Sequence, residues 1–182
     1  MAIAKRKKRF FDVEMPIINR QTQLQAYEIS ELEGEFIKYD LTRILRGKSI
    51  ILKLKVKIEG DKAIAIPKET QLMPYFIRRM VRKGTNYVED SFSTNCKDAK
   101  IKIKPFLIAR RKVSRAVRKA LRNKAKEELI EYVKNKTFET LFDEILKNQL
   151  QRQLSLKLKK IYPLSLCEIR VLKVEKELEK KE

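Results

Sequence analysis

The sequence predicts an α+β fold, with an antiparallel β-barrel-like core and flanking basic and amphipathic helices, and three observations carry that prediction. Ile50, Leu52, Leu54, Val56 and Ile58 alternate with Lys53, Lys55 and Lys57, the period of two of a strand with one face in the core and the other in water. Ile101 and Ile103 repeat the pattern against Lys100, Lys102 and Lys104, so lysine-faced strands recur, as in one antiparallel sheet or barrel. From Arg110 onward the apolar spacing lengthens to three and four residues, the helical period. Apolar residues make up 43% of the 182, enough to fill one core.

Taken in order, residues 1–9 read as a basic N-terminal arm, because Lys5, Arg6, Lys7, Lys8 and Arg9 form an unbroken run. Like charges so closely spaced repel until a polyanion arrives, and the free arm is expected to be disordered. Phe10 and Phe11 open an extended segment that ends at Met15, since the residue before Pro16 is pushed out of the helical region. Leu24 to Glu33 lacks a clear period and reads as loop or short strand. Gly34 to Leu45 is strand-like through Phe36, Tyr39, Leu41 and Ile44. After the Ile50 to Ile58 strand, Glu59-Gly60-Asp61 supplies a turn, and Ala63 to Ile66 is the partner strand, ending at Pro67.

Thr70 to Lys83 has helical spacing through Leu72, Tyr75, Phe76 and Met80, with Gly84 as its stop. Arg78, Arg79, Arg82 and Lys83 fall in its last turns, where cations suit the helix dipole; four together mark a phosphate-facing terminus. A second strand pair follows at Tyr87 to Cys96 and Ala99 to Lys104. Arg110 then begins a long helix whose apolar stripe is Val113, Ala116, Val117, Ala120 and Leu121, continued by Leu129, Ile130 and Val133. Arg111, Arg115, Arg118 and Arg122 step by four, three and four and so line one face over roughly 16 Å, with Arg110, Lys112 and Lys119 beside them. Glu127, Glu128 and Glu131 read as a solvated or intrahelical salt-bridge set rather than a catalytic carboxylate site. Thr137 caps a further helix that buries Phe138, Leu141, Phe142, Ile145, Leu146 and Leu150 and runs to about Lys160, where Tyr162-Pro163 stops it. Leu164 to Val174 is the last strand. Residues 10–174 thus read as a single α+β domain, the part that would bind a partner, and 175–182 as a charged tail that frays.

The chain carries 44 Lys and Arg against 24 Asp and Glu, a net charge of +20, and no histidine. A surplus of that size calls for a polyanion, and nucleic acid is the usual one. The absence of histidine removes the commonest general base and metal ligand. The four glycines, at 34, 47, 60 and 84, do not make a glycine-rich phosphate loop. Cys96 and Cys167, with no other Cys and no His, do not make a zinc site and read as reduced core thiols. The residues therefore point to no cofactor, no metal and no catalysis. No apolar run approaches the roughly 18 residues of a membrane span, so no membrane is expected. Aromatic residues are few and the wet strand faces carry lysine, so folded RNA recognised by shape is a better match than a single strand. A helix-turn-helix or heptad seam for DNA is absent.

Three segments carry a family likeness: Tyr75-Phe76-Ile77-Arg78-Arg79-Met80-Val81-Arg82-Lys83-Gly84-Thr85, Ala109-Arg110-Arg111-Lys112-Val113-Ser114, and Lys159-Lys160-Ile161-Tyr162-Pro163-Leu164 followed by Glu168-Ile169-Arg170. In order and spacing they resemble the archaeal and eukaryotic small-subunit ribosomal proteins of the S3Ae family. Lys8-Arg9-Phe10-Phe11-Asp12-Val13 before Pro16 resembles that family's opening strand, with Arg9 where the family usually has tryptophan. The likeness spans about Lys5 to Val174, with a shortened stretch between Pro16 and Gly34, and is to the smaller archaeal type. It implies a cytoplasmic structural component of the small subunit, on the platform near the mRNA exit, with small-subunit rRNA and neighbouring ribosomal proteins as partners and mRNA close by. Carried over, it makes Arg78, Arg79, Arg82, Lys83, Arg110, Arg111 and Lys112 RNA contacts. The charge pattern adds Lys5 to Arg9, Arg115, Arg118, Lys119 and Arg122. The alternative is a free RNA- or DNA-binding or chaperone protein that does not assemble into ribosomes.

Overall fold

The structure is a computed structural model and describes residues 7–45, 47–60 and 62–178. These fold as two compact units, one from the described residues up to Tyr39 with Leu52–Lys68, the other from Asp40–Ile51 with Glu69 onward. The architecture is mixed α+β, as the alternation predicts.

In the first unit β1 (Arg9–Met15) turns through a 3-10 turn at Pro16–Ile18 and returns as antiparallel β2 (Arg20–Ala26). The turn is closed by Asn19 in the left-handed region, at φ 49°. β1 pairs in parallel with β5 (Lys62–Leu72) at Val13 and Ala63, β5 pairs with β4 (Ile50–Glu59), and β4 with β3 (Phe36–Asp40). The β4 alternation is realised: Leu52, Leu54 and Val56 are buried while Lys55 and Lys57 stay exposed. With Val13, Met15, Ile37, Ala63 and Ala65 they form this unit's core. Gly60, at φ 65°, provides the left-handed step of the β4 to β5 turn. The ladder order β2–β1–β5–β4–β3 is open, because no backbone pairing joins β2 to β3 among the described residues.

The second unit is built on β8 (Ala99–Ala109) and β9 (Leu164–Glu177), antiparallel from Ala99 opposite Glu177 to Ala109 opposite Leu164. β6 (Tyr87–Glu89) and β7 (Phe92–Asn95) share the far edge of β8, and Glu69–Gln71 of β5 pair with Val171–Lys173 of β9. This ladder is open too, so the core is a sheet rather than a closed barrel. Among the described residues four α-helices accompany the sheet: α1 (Pro74–Met80), α2 (Arg115–Lys134), α3 (Phe138–Leu146) and α4 (Gln149–Leu158). Leu121, Ala125, Leu129 and Val133 of α2, Leu141, Phe142 and Ile145 of α3, and Leu150, Leu154 and Leu158 of α4 are buried, as are Ile101, Ile103, Phe106 and Leu107 of β8.

Several boundaries differ from the sequence reading, each for a local reason. β5 continues through Pro67, which lies between the stretch paired with β1 and the stretch paired with β9. β8 likewise passes Pro105, at a register irregularity between Lys104 and Pro105. The second hairpin's first strand is two pieces, β6 and β7, parted at Asp90, whose carboxylate accepts from the Ser91 N–H at 2.9 Å. The Thr70 to Lys83 helix shrinks to α1, because Thr70 and Leu72 belong to β5. The helix after Thr137 breaks at Asn148, left-handed at φ 59°. β9 extends to Glu177, so the frayed tail does not begin at Glu175.

That break at Asn148 belongs to a covered polar cluster. Lys48 donates to Asn148 Oδ1 and pairs with Glu168 at 2.6 Å, both side chains being 12% exposed or less. Gln151 Nε2 donates to the Ile145 carbonyl at 3.0 Å and to Glu168 at 3.4 Å. Glu168 thus pins the loop before β4 and the α3–α4 corner to β9. Beside it, burial first and the Glu168 charge second push the Cys167 thiol up to about 12, and both cysteines are free, as a reduced core thiol should be. Replacing Lys48 by methionine strands the Glu168 carboxylate, and urea denaturation should show a loss of about 3–5 kcal/mol. The double variant Lys48→Met, Glu168→Leu should recover most of it; an equal or larger loss in the double would contradict the pairing.

Candidate nucleic-acid interface

The three sequence segments singled out above meet at one end of the β8–β9 ladder. β8 ends at Ala109 and β9 begins at Leu164, opposite one another. The Arg110 N–H donates to the Pro163 carbonyl at 3.4 Å. Asn86, just after the first segment, ties in the rest: its carbonyl accepts from the Ala109 N–H at 2.9 Å, and its side-chain oxygen from the Val113 N–H at 2.9 Å. One asparagine therefore holds the loop carrying Arg82 and Lys83 against the segment carrying Arg110, Arg111 and Lys112. All five cations are exposed.

Arg82 and Lys83 lie beyond α1, not in its last turns. Val81 leaves the helix at ψ 118°, and a turn follows in which the Thr85 hydroxyl donates to the Arg82 carbonyl at 2.7 Å. Gly84 takes φ 82° there, a step that L side chains resist. Arg78 and Arg79 do occupy the last turn of α1. Arg79 is partly committed to the fold, donating to the Gly47 carbonyl at 3.3 Å and lying 5.4 Å from the centre of the Phe76 ring.

Arg110, Arg111 and Lys112 precede α2 rather than opening it. Ser114 is the N-cap and accepts from the Val117 N–H, so Arg111 drops off the helical face. The apolar stripe is also displaced: Ala116 and Ala120 are exposed, Val113 and Val117 only half-buried, and full burial starts at Leu121. The first half of α2 presents Arg115, Arg118, Lys119 and Arg122 at helical spacing. They line a cleft of about 290 Å³ whose other wall is Tyr87, Val88 and Glu89 of β6. The first turn of α2 holds no acidic residue, although the helix dipole favours anions there and opposes cations. Positive side chains beside a positive helix end form a local conflict that an external anion would relieve.

Among the described residues, Arg82, Lys83, Arg110, Arg111, Lys112, Arg115, Arg118, Lys119 and Arg122 have no carboxylate within 4.0 Å. The carboxylates pair elsewhere. Lys124 meets Glu127 at 3.6 Å and Glu128 at 3.3 Å, Lys157 also bonds Glu128, and Lys136 bonds Glu144. Sequence reasoning did not single out Lys159 and Lys160 as site residues. Both are exposed in the turn leading to Pro163, and their place inside a quoted segment was the available signal. At the other end of the chain, Lys5 and Arg6 lie outside the described residues. Lys7 is exposed, Lys8 lies 5.6 Å from the centre of the Tyr27 ring, and Arg9 is the first residue of β1 rather than part of an arm. Those three belong to the first unit, the cations above to the second.

Among the described residues no group of three or more Cys, Asp or Glu could hold a metal ion, and no helix is long and apolar enough to cross a membrane. An open α+β sheet with a band of unpaired arginines and lysines at one end defines a basic binding protein. The model of the ribosomal S3Ae family matches residues 4–177, and the chain belongs to that family. It is 26% identical over 167 residues to the small ribosomal subunit protein eS1 of Nanoarchaeum equitans, covering 87% of this chain and 84% of that protein. The protein of the same name from Methanothermobacter thermautotrophicus is 31% identical over 143 residues, 76% of this chain and 68% of that one. The one from Saccharolobus islandicus is 26% identical over 184 residues, 95% and 88% respectively.

The carboxylate set in α2 has a measurable pH signature. A hydrogen bond from Lys157 holds the Glu128 carboxyl below its ordinary value of 4.5, against burial, which acts the other way, and a bond from Lys124 adds to the lowering. A carboxyl whose pKa is lower folded than unfolded stabilises the fold above the unfolded value and loses that contribution as pH falls through the folded one. The urea midpoint should therefore fall more steeply below pH 4.5 in the wild type than in Glu128→Gln. Parallel curves would contradict the assignment.

Proposed function

We propose that this chain is a structural, non-catalytic constituent of the small ribosomal subunit in the cytoplasm. It binds small-subunit rRNA on the platform near the mRNA exit, among neighbouring small-subunit proteins and with mRNA in reach. The observation that carries the reading is the convergence of the three segments at Asn86 and Pro163, which gathers cations that, among the described residues, no carboxylate neutralises. Membership of the ribosomal S3Ae family and the naming of relatives as small ribosomal subunit protein eS1 support it.

The mechanism is counterion release with shape fit. Arginine dominates the band, and its planar guanidinium donates to phosphate oxygens in pairs. Such contacts fix position and supply affinity while carrying little base information, which suits an rRNA with one folded shape. Arg78, Arg82, Lys83, Arg110, Arg111, Lys112, Arg115, Arg118, Lys119 and Arg122 are the contacts of the second unit, with Arg79 in a supporting role; Lys7, Lys8 and Arg9 add contacts from the first unit, and Lys5 and Arg6 precede them in the same basic run.

The test is a salt titration of the protein's affinity for small-subunit rRNA. With about eight of these cations meeting phosphates at once, log affinity should fall with log salt at a slope of about −6 to −7. The triple variant Arg110→Gln, Arg111→Gln, Lys112→Gln should flatten that slope by about 2 to 3. A wild-type slope shallower than about −3, or a triple variant with the same slope, would contradict the extended contact. Equal affinity for unrelated RNA would favour a free nucleic-acid binder.

A further inference from the structure

The cleft between β6 and α2 differs in kind from the rest of the basic band. Tyr87 stands on its β6 wall with 51% of its surface exposed. Its ring is stacked on Phe106, centroids 5.7 Å apart and planes at 29°, and Phe106 is 1% exposed and therefore fixed. One face of the tyrosine is thus held rigidly by the core and the residue remains half open to solvent, which is how a stacking platform is built. The facing wall is cationic, from Arg115, Arg118, Lys119 and Arg122. The single carboxylate in the lining, Glu89, is bound by Arg170 at 2.8 Å, so its charge is offset from the sheet side. Arg118 Nε is shut off from solvent and lacks a hydrogen-bond partner among the described residues, a donor left without an acceptor, which native structures seldom tolerate without a ligand or water.

We infer that this cleft receives a single unpaired nucleotide of RNA, its base against the open face of Tyr87 and its phosphate among Arg115, Arg118, Lys119 and Arg122. The inference rests on the RNA-binding reading above and narrows it, since the remaining cations touch only backbone. At about 290 Å³ the cleft is at the lower end of small-ligand pockets; one base with its phosphate fits and a duplex does not. Stacking tolerates any base, so the site reads the unpaired state of a nucleotide rather than its identity.

The experiment measures binding of the full chain to an oligoadenylate decamer and to a blunt RNA duplex, in the wild type and in Tyr87→Ala, Tyr87→Leu and Tyr87→Phe. Tyr87→Ala and Tyr87→Leu should weaken the decamer about tenfold or more and leave the duplex within about twofold. Tyr87→Phe should retain both. Leucine keeps apolar cover over Phe106, so it guards against a folding defect in the alanine variant. Arg118→Gln with Arg122→Gln should weaken both probes. Ultraviolet cross-linking of the decamer should place a nucleotide on Tyr87. Equal losses on the two probes, or no loss on either, would overturn the inference. Small-subunit rRNA bound in preference to unrelated RNA, with Tyr87 variants indistinguishable from wild type, would remove the cleft and leave the ribosomal reading standing. Tyr87-dependent decamer binding without that preference would do the reverse.

Discussion

The antiparallel ladder between β8 and β9 holds the second unit together, and the basic band depends on where that ladder stops. β8 and β9 pair along their length, from Ala99 with Glu177 to Ala109 with Leu164. At the latter end the chain leaves β8 straight into Arg110, Arg111 and Lys112 and enters β9 straight from the turn bearing Lys159 and Lys160. The ladder's last bonds, Arg110 to Pro163 and Ala109 to Asn86, are therefore also what places the cations. Mutually repelling side chains are kept close by backbone hydrogen bonds and a buried sheet.

The distribution of acidic residues complements that arrangement. Glu127, Glu128 and Glu144 neutralise lysines on the parts of α2 and α4, and after α2, that pack in the core, while Glu168 neutralises Lys48 beneath the α3–α4 corner. Before Leu121, α2 has neither a buried apolar side chain nor, among the described residues, a carboxylate partner. The same helix is thus a structural element from Leu121 onward and a charged face before it. Its burial pattern and its ion pairs agree on where one role gives way to the other.

Much of this was legible in the sequence. The alternation of Leu52, Leu54 and Val56 with lysine was sufficient for β4, because a period of two on a half-buried face has one structural solution. Thr137 as an N-cap, the salt-bridged reading of Glu128 and the free thiols were readable for similar local reasons. What was not readable depended on tertiary context. Pro67 and Pro105 look like strand ends until the partner strands are known. Asn148 looks like a helical residue until Lys48 and Glu168 draw it out of register. The stripe of Val113, Ala116, Val117 and Ala120 has helical period without a surface to pack on, so periodicity alone placed the buried face about two turns too early. The candidate site was legible as a set of cations but not as a place, because Asn86, which brings two of its segments together, carries no signal in a single sequence. Tyr87 was passed over because the aromatics are few and scattered along the sequence, and one at the start of a strand shows no partner ring.

Whether the band holds this chain on the small ribosomal subunit is read from sucrose-gradient sedimentation of a cell lysate at moderate salt, with the chain followed by blotting before and after a high-salt wash. Co-migration with small subunits that survives the wash is the expected result. Recovery of the chain solely in the light fractions would contradict it.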